Sequence, residues 1–312
     1  MAGTLRSSRQ GLRVYCGALN PTQVTSVERL NALEPGSRAM DRRNRRAFFA
    51  VSLAGAFMIV ALAGSAHVAE GAVNGSSEMS RHVFGPGESF EFRLRYGFLE
   101  TGRAKIEIGR DVDSEAGEIW PIKVDARTTG TAGFLYDMNT LFVSHFIPEE
   151  DRTLGFDRDS VERGDARFTT MRLDHANQKA EVVRKQEGRP EERRTYEVGP
   201  ASHDIASAIF WLRDRPLNVG DVEKIRVFTG RKAWDMKATV TGTERIRTQW
   251  GRMEAKHIRL HTQFDGDAAA RRDIEIWMAN APHHVPLAIR ADLALGSIRA
   301  DLREYAPPRD SH

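Results

Sequence analysis

Beyond about residue 84, apolar and polar positions alternate with a period of two. From Ser89 onward, Phe90, Phe92, Leu94 and Tyr96 fall on one face, and Glu91, Arg93 and Arg95 on the other. Successive side chains of a strand point to opposite sides of a sheet, so this pattern marks a half-buried strand. Gly97 to Gly102 turns the chain, and Ala104, Ile106 and Ile108 alternate with Lys105 and Glu107 as the second arm of a hairpin. Further alternating runs lie at Ile122–Ala126, Phe168–Leu173, Ala180–Val183, Ile225–Phe228, Trp234–Val240, Met253–Leu260, Ile274–Trp277, Pro286–Ala291 and Ile298–Leu302, with turn formers between them. Many short amphipathic strands without a β-α-β rhythm predict a mainly all-β fold, an antiparallel curved sheet or β-barrel with two short helices.

The two helices are expected where the period changes. Ala132–Phe142 carries Phe134, Leu135, Met138 and Leu141 at spacings near three and four. In the second segment, Asp204 is placed to cap a helix Ile205–Leu212, with Ile205, Ile209 and Leu212 on one face and Pro216 ending it. Both are expected to plug an end of the curved sheet.

Earlier in the chain the pattern is different. Arg42-Arg43-Asn44-Arg45-Arg46 runs into the 17-residue apolar segment Ala47–Ala63, and Gly64-Ser65-Ala66 follows. A basic stretch, an apolar stretch and small residues in that order form an export signal. The apolar segment is short for a spanning helix of ~20 residues, which favours cleavage over an uncleaved inner-membrane anchor. The expected organisation is 1–39 as an extension before the natural start Met40, 40–69 as signal peptide, 70–83 as linker and 84–305 as one β-rich periplasmic domain.

Removing the leader changes the charge argument. The whole chain holds 46 basic and 43 acidic residues, but residues 1–69 hold nine arginines and three acids, leaving 37 basic and 40 acidic. A mildly acidic exported domain has no footprint for a phosphodiester backbone, so nucleic acid is not an expected partner. The one cysteine, Cys16, also falls in the leader. The exported domain therefore has no disulfide or cysteine metal cluster, and its core alone must hold it together.

Strong catalytic signatures are missing: no Gly-x-Ser-x-Gly, no His-Glu-x-x-His, no phosphate loop and no dinucleotide turn. The expectation is a protein that is not an enzyme, with no catalytic, metal or cofactor-binding residues and no cofactor. His203, Asp204 and Ser207 contain the residue types of a triad but lie at one helix start, where capping and packing explain them. His257 and His261 share the face of a strand, and His283-His284 sits in a Pro-flanked loop; solvated or hydrogen-bonded roles are expected for all four. Arg213 and Arg215 around Asp214, with Arg231-Lys232 at a hairpin tip, could form an anion site. Their plainer reading is a helix-end cation and a soluble turn. Phe98, Leu99, Phe134, Leu135 and Tyr136 are apolar residues at turns, suited to a cavity rim or to core filling.

Several blocks together resemble the exported bacterial family catalogued as domain of unknown function 3108. Gly87-Glu88 followed by Phe90, Phe92, Tyr96, Gly97 and Gly102 resembles its opening hairpin. The stretch from Asp204 through Ser207 and Phe210-Trp211 to Arg213, with Pro216-Leu217 and Gly220 behind it, resembles its most distinctive motif. Gly242, Glu244, Gly251, Trp277, Pro286 and Gly296 continue the match in order, over about Phe84 to Leu302. The resemblance implies an exported, mostly β domain whose motif residues are structural, and it implies no reaction.

The leading functional expectation is a non-catalytic envelope protein whose curled sheet encloses an apolar, lipid-like ligand. The alternatives are an interaction module docking on an envelope protein partner through an edge strand or the Trp211 helix, and an envelope-polymer hydrolase using Asp204, Glu244 and Asp273.

Overall fold

The computed structural model describes residues 82–130, 133, 136–264, 273–292 and 296–309, all within the unit Val51–His312. The expected extension, signal and most of the linker lie outside the described residues. No helix of the described residues is long and apolar enough to cross a membrane.

Among the described residues fifteen strands form one antiparallel sheet: β1 (Ser89–Tyr96), β2 (Leu99–Ile108), β3 (Asp111–Ser114), β4 (Gly117–Thr128), β5 (Met138–Ile147), β6 (Arg152–Glu162), β7 (Asp165–Asp174), β8 (Lys179–Gln186), β9 (Glu192–Glu197), β10 (Val222–Phe228), β11 (Ala233–Thr248), β12 (Gly251–Phe264), β13 (Asp273–Ala279), β14 (Pro286–Asp292) and β15 (Ser297–Ala306). The helix α1 (Ile205–Arg213) lies between β9 and β10. The strand order is β10-β11-β12-β13-β14-β15-β1-β2-β4-β5-β6-β7-β8-β9, with β3 paired to β4 alone. Neighbours in sequence are mostly neighbours in space. The exception that shapes the molecule is β15 against β1, where Phe92 faces Leu302 and Leu94 faces Ala300.

The sheet is curved but not closed by a ladder. Its edges are β9 and β10, and the chain leaving β9 runs between them. Val198 donates its N–H to Gln178 O at 3.0 Å, and His203 makes a parallel bridge to Val227. The Tyr196 ring lies 5.3 Å from that of Phe228 across the same seam. β9 reads Glu-Arg-Arg-Thr-Tyr-Glu, and such a charged edge resists pairing with another chain.

The inward residues of β1, β2 and β4 are those the alternation predicts: Phe90, Phe92, Leu94, Ala104, Ile106, Ile108, Ile122, Val124 and Ala126 are all buried. α1 occupies the concave side and is buried along nearly its whole length. Its capping by Asp204 agrees with the expectation.

Of the helix expected over Ala132–Phe142, Gly133 is helical, as is Gly130 before it, with Gly133 donating its N–H to Thr129 O at 3.2 Å; the part from Met138 onward is a correction. Residues 131, 132, 134 and 135 lie outside the described residues. From Met138 onward the chain is β5, whose inward set is Met138, Thr140, Phe142, Ser144 and Phe146. Two of those five are hydroxyl residues, so the apolar residues alone show a false helical spacing. β6 escaped notice for a similar reason, since Thr153, Gly155 and Ser160 stand among its inward positions. Gly155 has φ +126, and a Cβ there would lie 2.1 Å from Met171 O, so only glycine fits.

Candidate functional site

Two polar constructions stand out, one inside the sheet and one outside. Inside, both ends of α1 are fixed by buried polar groups. At its start, Asp204 Oδ1 accepts the N–H groups of Ala206 (2.8 Å) and Ser207 (3.0 Å), and Oδ2 accepts the hydroxyls of Ser144 (2.6 Å) and Thr153 (2.9 Å). Full burial pushes the Asp204 carboxyl above its ordinary range, opposed by those four donors. At the other end Arg213 is 0% exposed and meets Glu88, also 0% exposed, in a two-pronged ion pair of 3.0 and 2.7 Å. Tyr305 donates its hydroxyl to Glu88, and Arg213 also donates to His283 O. The Phe84, Phe90 and Phe210 rings lie 5.0 to 5.6 Å from the guanidinium.

Arg213 stands in the last turn of α1, as the plainer reading expected of a helix-end cation, but as the buried partner of Glu88. Arg215 pairs with Asp151 at 2.7 Å and covers the Trp211 ring at 4.1 Å, while Arg231 and Lys232 are exposed at the β10–β11 turn. The anion site imagined from these residues is not assembled. Nor is the triad: His203 Nδ1 lies 3.3 Å from Ser207 Oγ, but the Asp204 carboxyl turns to Ser144 and Thr153, and all three residues are buried. Burial holds His203 neutral, with its pKa lowered to about 4.

The remaining histidines also have structural partners. His283 Nδ1 lies 2.8 Å from Val83 O and His284 Nδ1 lies 2.7 Å from Arg213 O, which ties the β13–β14 loop to the entry segment and to α1. His257 and His261 share a strand face but stand ~13 Å apart along β12, too far to chelate one ion. His82, Asp151 and Asp214 do bring ligand atoms within 4.8 Å of one another. However, His82 Nδ1 is committed to Asp214 (2.7 Å), Nε2 to Pro148 O (2.8 Å), and Arg215 already supplies a cation to Asp151. Burial works against protonation of His82, but Asp214 outweighs it and raises the pKa.

The outer construction is a groove. β11 and β12 extend past β13, which pairs only with Ala255–His261, and a register shift between Val240 and Gly242 bends the projecting arm. Gln249 at its tip donates to Arg303 O of β15. Ile246, Arg247 and Thr248 of the arm form one wall, and Arg93, Arg95, Arg299 and Arg303 rise from the outer face of β1 and β15. Trp277 and Leu287 lie at the base of a space of about 600 Å³.

The base is rigid. The Trp277 ring is stacked on His257 at 4.8 Å and nearly parallel, with the Arg299 guanidinium 5.0 Å from its centre. Glu244 binds Trp277 Nε1 and His257 Nδ1, both at 3.0 Å. Asp301 accepts from Arg95 Nε (2.8 Å) and Arg299 Nε (2.7 Å).

The motif residues divide between these constructions and the turns. Glu88, Asp204, Ser207 and Arg213 form the inner network, and Glu244 belongs to the groove. Gly87, Gly220, Gly251 and Gly296 adopt positive φ at turns; at Gly296 a Cβ would meet the Tyr96 hydroxyl at 2.9 Å. Gly102 lies within β2, Gly242 beside the β11 bulge, and Pro286 at the start of β14 beside another. The carboxylates of the hydrolase reading do not converge, because Asp204 is inside the sheet and Glu244 outside; the Asp273 side chain lies outside the described set. The groove arginines were visible only as the polar faces of two strands two hundred residues apart.

Residues 91–303 match the family model described as "Protein of unknown function (DUF3108)". No curated protein matches the chain in sequence. A solved β-barrel-like protein of domain of unknown function DUF1849 from Brucella abortus superposes with a TM-score of 0.51 at 10% identity, covering 73% of this chain and 100% of that one. It shares the fold. A candidate lipoprotein from Parabacteroides distasonis superposes at a TM-score of 0.30 and 8% identity, over 72% of this chain and 98% of that one, too loosely to bear on it.

Proposed function

The chain belongs to the DUF3108 family, and from that premise we propose that it is a non-catalytic binding protein of the cell envelope whose ligand occupies the outer groove. One observation carries the reading: the concave side of the sheet is filled by α1 and its aromatic surroundings, whereas the space of about 600 Å³ lies outside. A packed interior of this kind has little room for an enclosed lipid chain, which weighs against the apolar-carrier expectation and in favour of a polar ligand on the outer face. The basic and apolar leader supports export to the periplasm.

The exported part of the chain contains no native cysteine, so Arg247→Cys provides a single attachment point for a bulky maleimide in the groove. The protein is recovered from the periplasm and its bound ligand read by native mass spectrometry before and after labelling. A polar adduct displaced by the label supports the groove. An apolar adduct that survives labelling restores the interior-carrier reading, and protein found only in the cytosol overturns export.

A second reading has its own observation. Phe98 at the β1–β2 turn is 97% exposed, beside half-exposed Tyr96 and Leu99, an apolar tip suited to docking on another envelope protein. Phe98→Ser abolishing a reproducible envelope complex, with the groove unaffected, would favour it.

A further inference from the structure

We infer that the groove, on the reading just given, receives a ligand carrying two or more phosphate groups. Five guanidinium groups line it, from Arg93 and Arg95 on β1, Arg299 and Arg303 on β15, and Arg247 on the β11 arm. Two carboxylates, Glu244 and Asp301, line it as well, so the lining carries a surplus of three positive charges.

Both acids are already engaged. Glu244 is held by Trp277 and His257, and Asp301 bridges the Nε groups of Arg95 and Arg299. That bridge holds Arg299 by its Nε and Arg95 by its Nε and one terminal nitrogen, leaving the other terminal N–H groups of both for an incoming anion. Arg93 Nε is buried and has no hydrogen-bond partner among the described residues, and its nearest acid, Glu100, is 3.8 Å away. No salt bridge between described residues takes up Arg247 or Arg303.

Alternation sets the spacing. Arg93 and Arg95 are two residues apart on β1, as are Arg299, Asp301 and Arg303 on β15, which gives rows of charge repeating every ~7 Å on strands ~5 Å apart. Arginine's planar fork matches phosphate and carboxylate oxygens in pairs. A single carboxylate has two oxygens and one charge and would satisfy one fork. A phosphate monoester brings about 1.5 to 2 charges and three acceptors, so two phosphates, with about three to four charges between them, cover the surplus and engage several forks. Trp277 is already stacked on His257 and covered by the Arg299 guanidinium, so its ring is engaged within the protein, and the recognition is ionic.

The test uses the purified protein with glucose 1,6-bisphosphate, citrate and phosphatidylcholine vesicles carrying cardiolipin, whose headgroup holds two phosphates, followed by calorimetry and vesicle co-sedimentation at low salt. The bisphosphate is expected to bind at least tenfold more tightly than citrate. Arg247→Glu/Arg303→Glu is expected to weaken it at least tenfold, with no change for Arg231→Glu at the remote turn. If vesicles bind with the same dependence on the variants, the phosphate belongs to a lipid headgroup; if the bisphosphate alone binds, the source is soluble. Either result supports the inference. Citrate binding as tightly as the bisphosphate, no binding of either phosphate probe, or indifference to Arg247→Glu/Arg303→Glu overturns it. If the maleimide at Arg247→Cys still displaces a native ligand while the phosphate probes fail, the phosphate assignment falls and the groove stands. If the label displaces nothing, both fall.

Discussion

Removing Arg213 while leaving Glu88 in place should be among the most damaging single changes available to this fold. In Arg213→Met the apolar stem is kept and the guanidinium is lost. Glu88 then keeps the Tyr305 hydroxyl but loses both short bonds of its ion pair, and His283 O loses two approaching N–H groups. Both side chains of the pair are 0% exposed, so water cannot take the place of the missing cation. An uncompensated buried charge costs about 3–5 kcal/mol. For a domain of this size each kcal/mol lowers Tm by about 2–4 °C, so the expected drop is about 6–20 °C. Urea unfolding followed by tryptophan fluorescence measures the change directly. The double variant Glu88→Leu/Arg213→Met removes the orphaned charge and should be more stable than Arg213→Met alone. A loss below about 1 kcal/mol in Arg213→Met, or a double variant worse than the single by the full cost of Glu88→Leu, would refute the claim that the pair is buried and interdependent.

Other tests reach separate parts of the molecule. Gly155→Ala should cost well over the ~1 kcal/mol of ordinary positive-φ strain, because its Cβ would strike Met171 O; Gly164→Ala, with positive φ but open space around it, isolates the strain alone. Asp204→Ala should destabilise by about 2–4 kcal/mol, combining a lost cap with the loss of the acceptor shared by the buried Ser144 and Thr153 hydroxyls, of which Thr153 keeps the His145 and Gly155 carbonyls, as thermal melts will register. His203 links stability to acid. Its pKa is about 6.5 unfolded and lowered to about 4 when folded, so the stabilisation is complete above pH 6.5 and is lost as pH falls toward 4, by roughly 3 kcal/mol. His203→Gln should flatten that part of the urea-midpoint profile. His82 acts in the opposite sense: its raised folded pKa contributes stability below pH 6.5 that disappears as pH rises through the folded value, and His82→Gln should remove this alkaline slope.

Much of the fold was open to reading from local pattern. Alternation located β1, β2 and β4, because their inward residues are almost uniformly apolar and period two is then unmistakable. The capped helix was legible for the same local reason, since an N-cap carboxylate binds N–H groups two and three residues on. β5 and β6 were not legible, because their inward threonines, serines and glycine are tolerated only by partners on other strands and on α1.

The sequence by itself determined the strand-rich class, the start of α1 and the composition of each strand face, all of which depend on neighbours a few residues away. Only the tertiary structure decided that Arg213 is an interior ion-pair partner of Glu88, and that α1 lies on the concave side of the sheet. It alone decided that Arg93 and Arg95 meet Arg299 and Arg303 beneath a bent hairpin arm. The physical reason is range. Propensity and periodicity act over one turn or one pleat, whereas burial of a charge and convergence of like charges arise only when β15 returns to pair with β1.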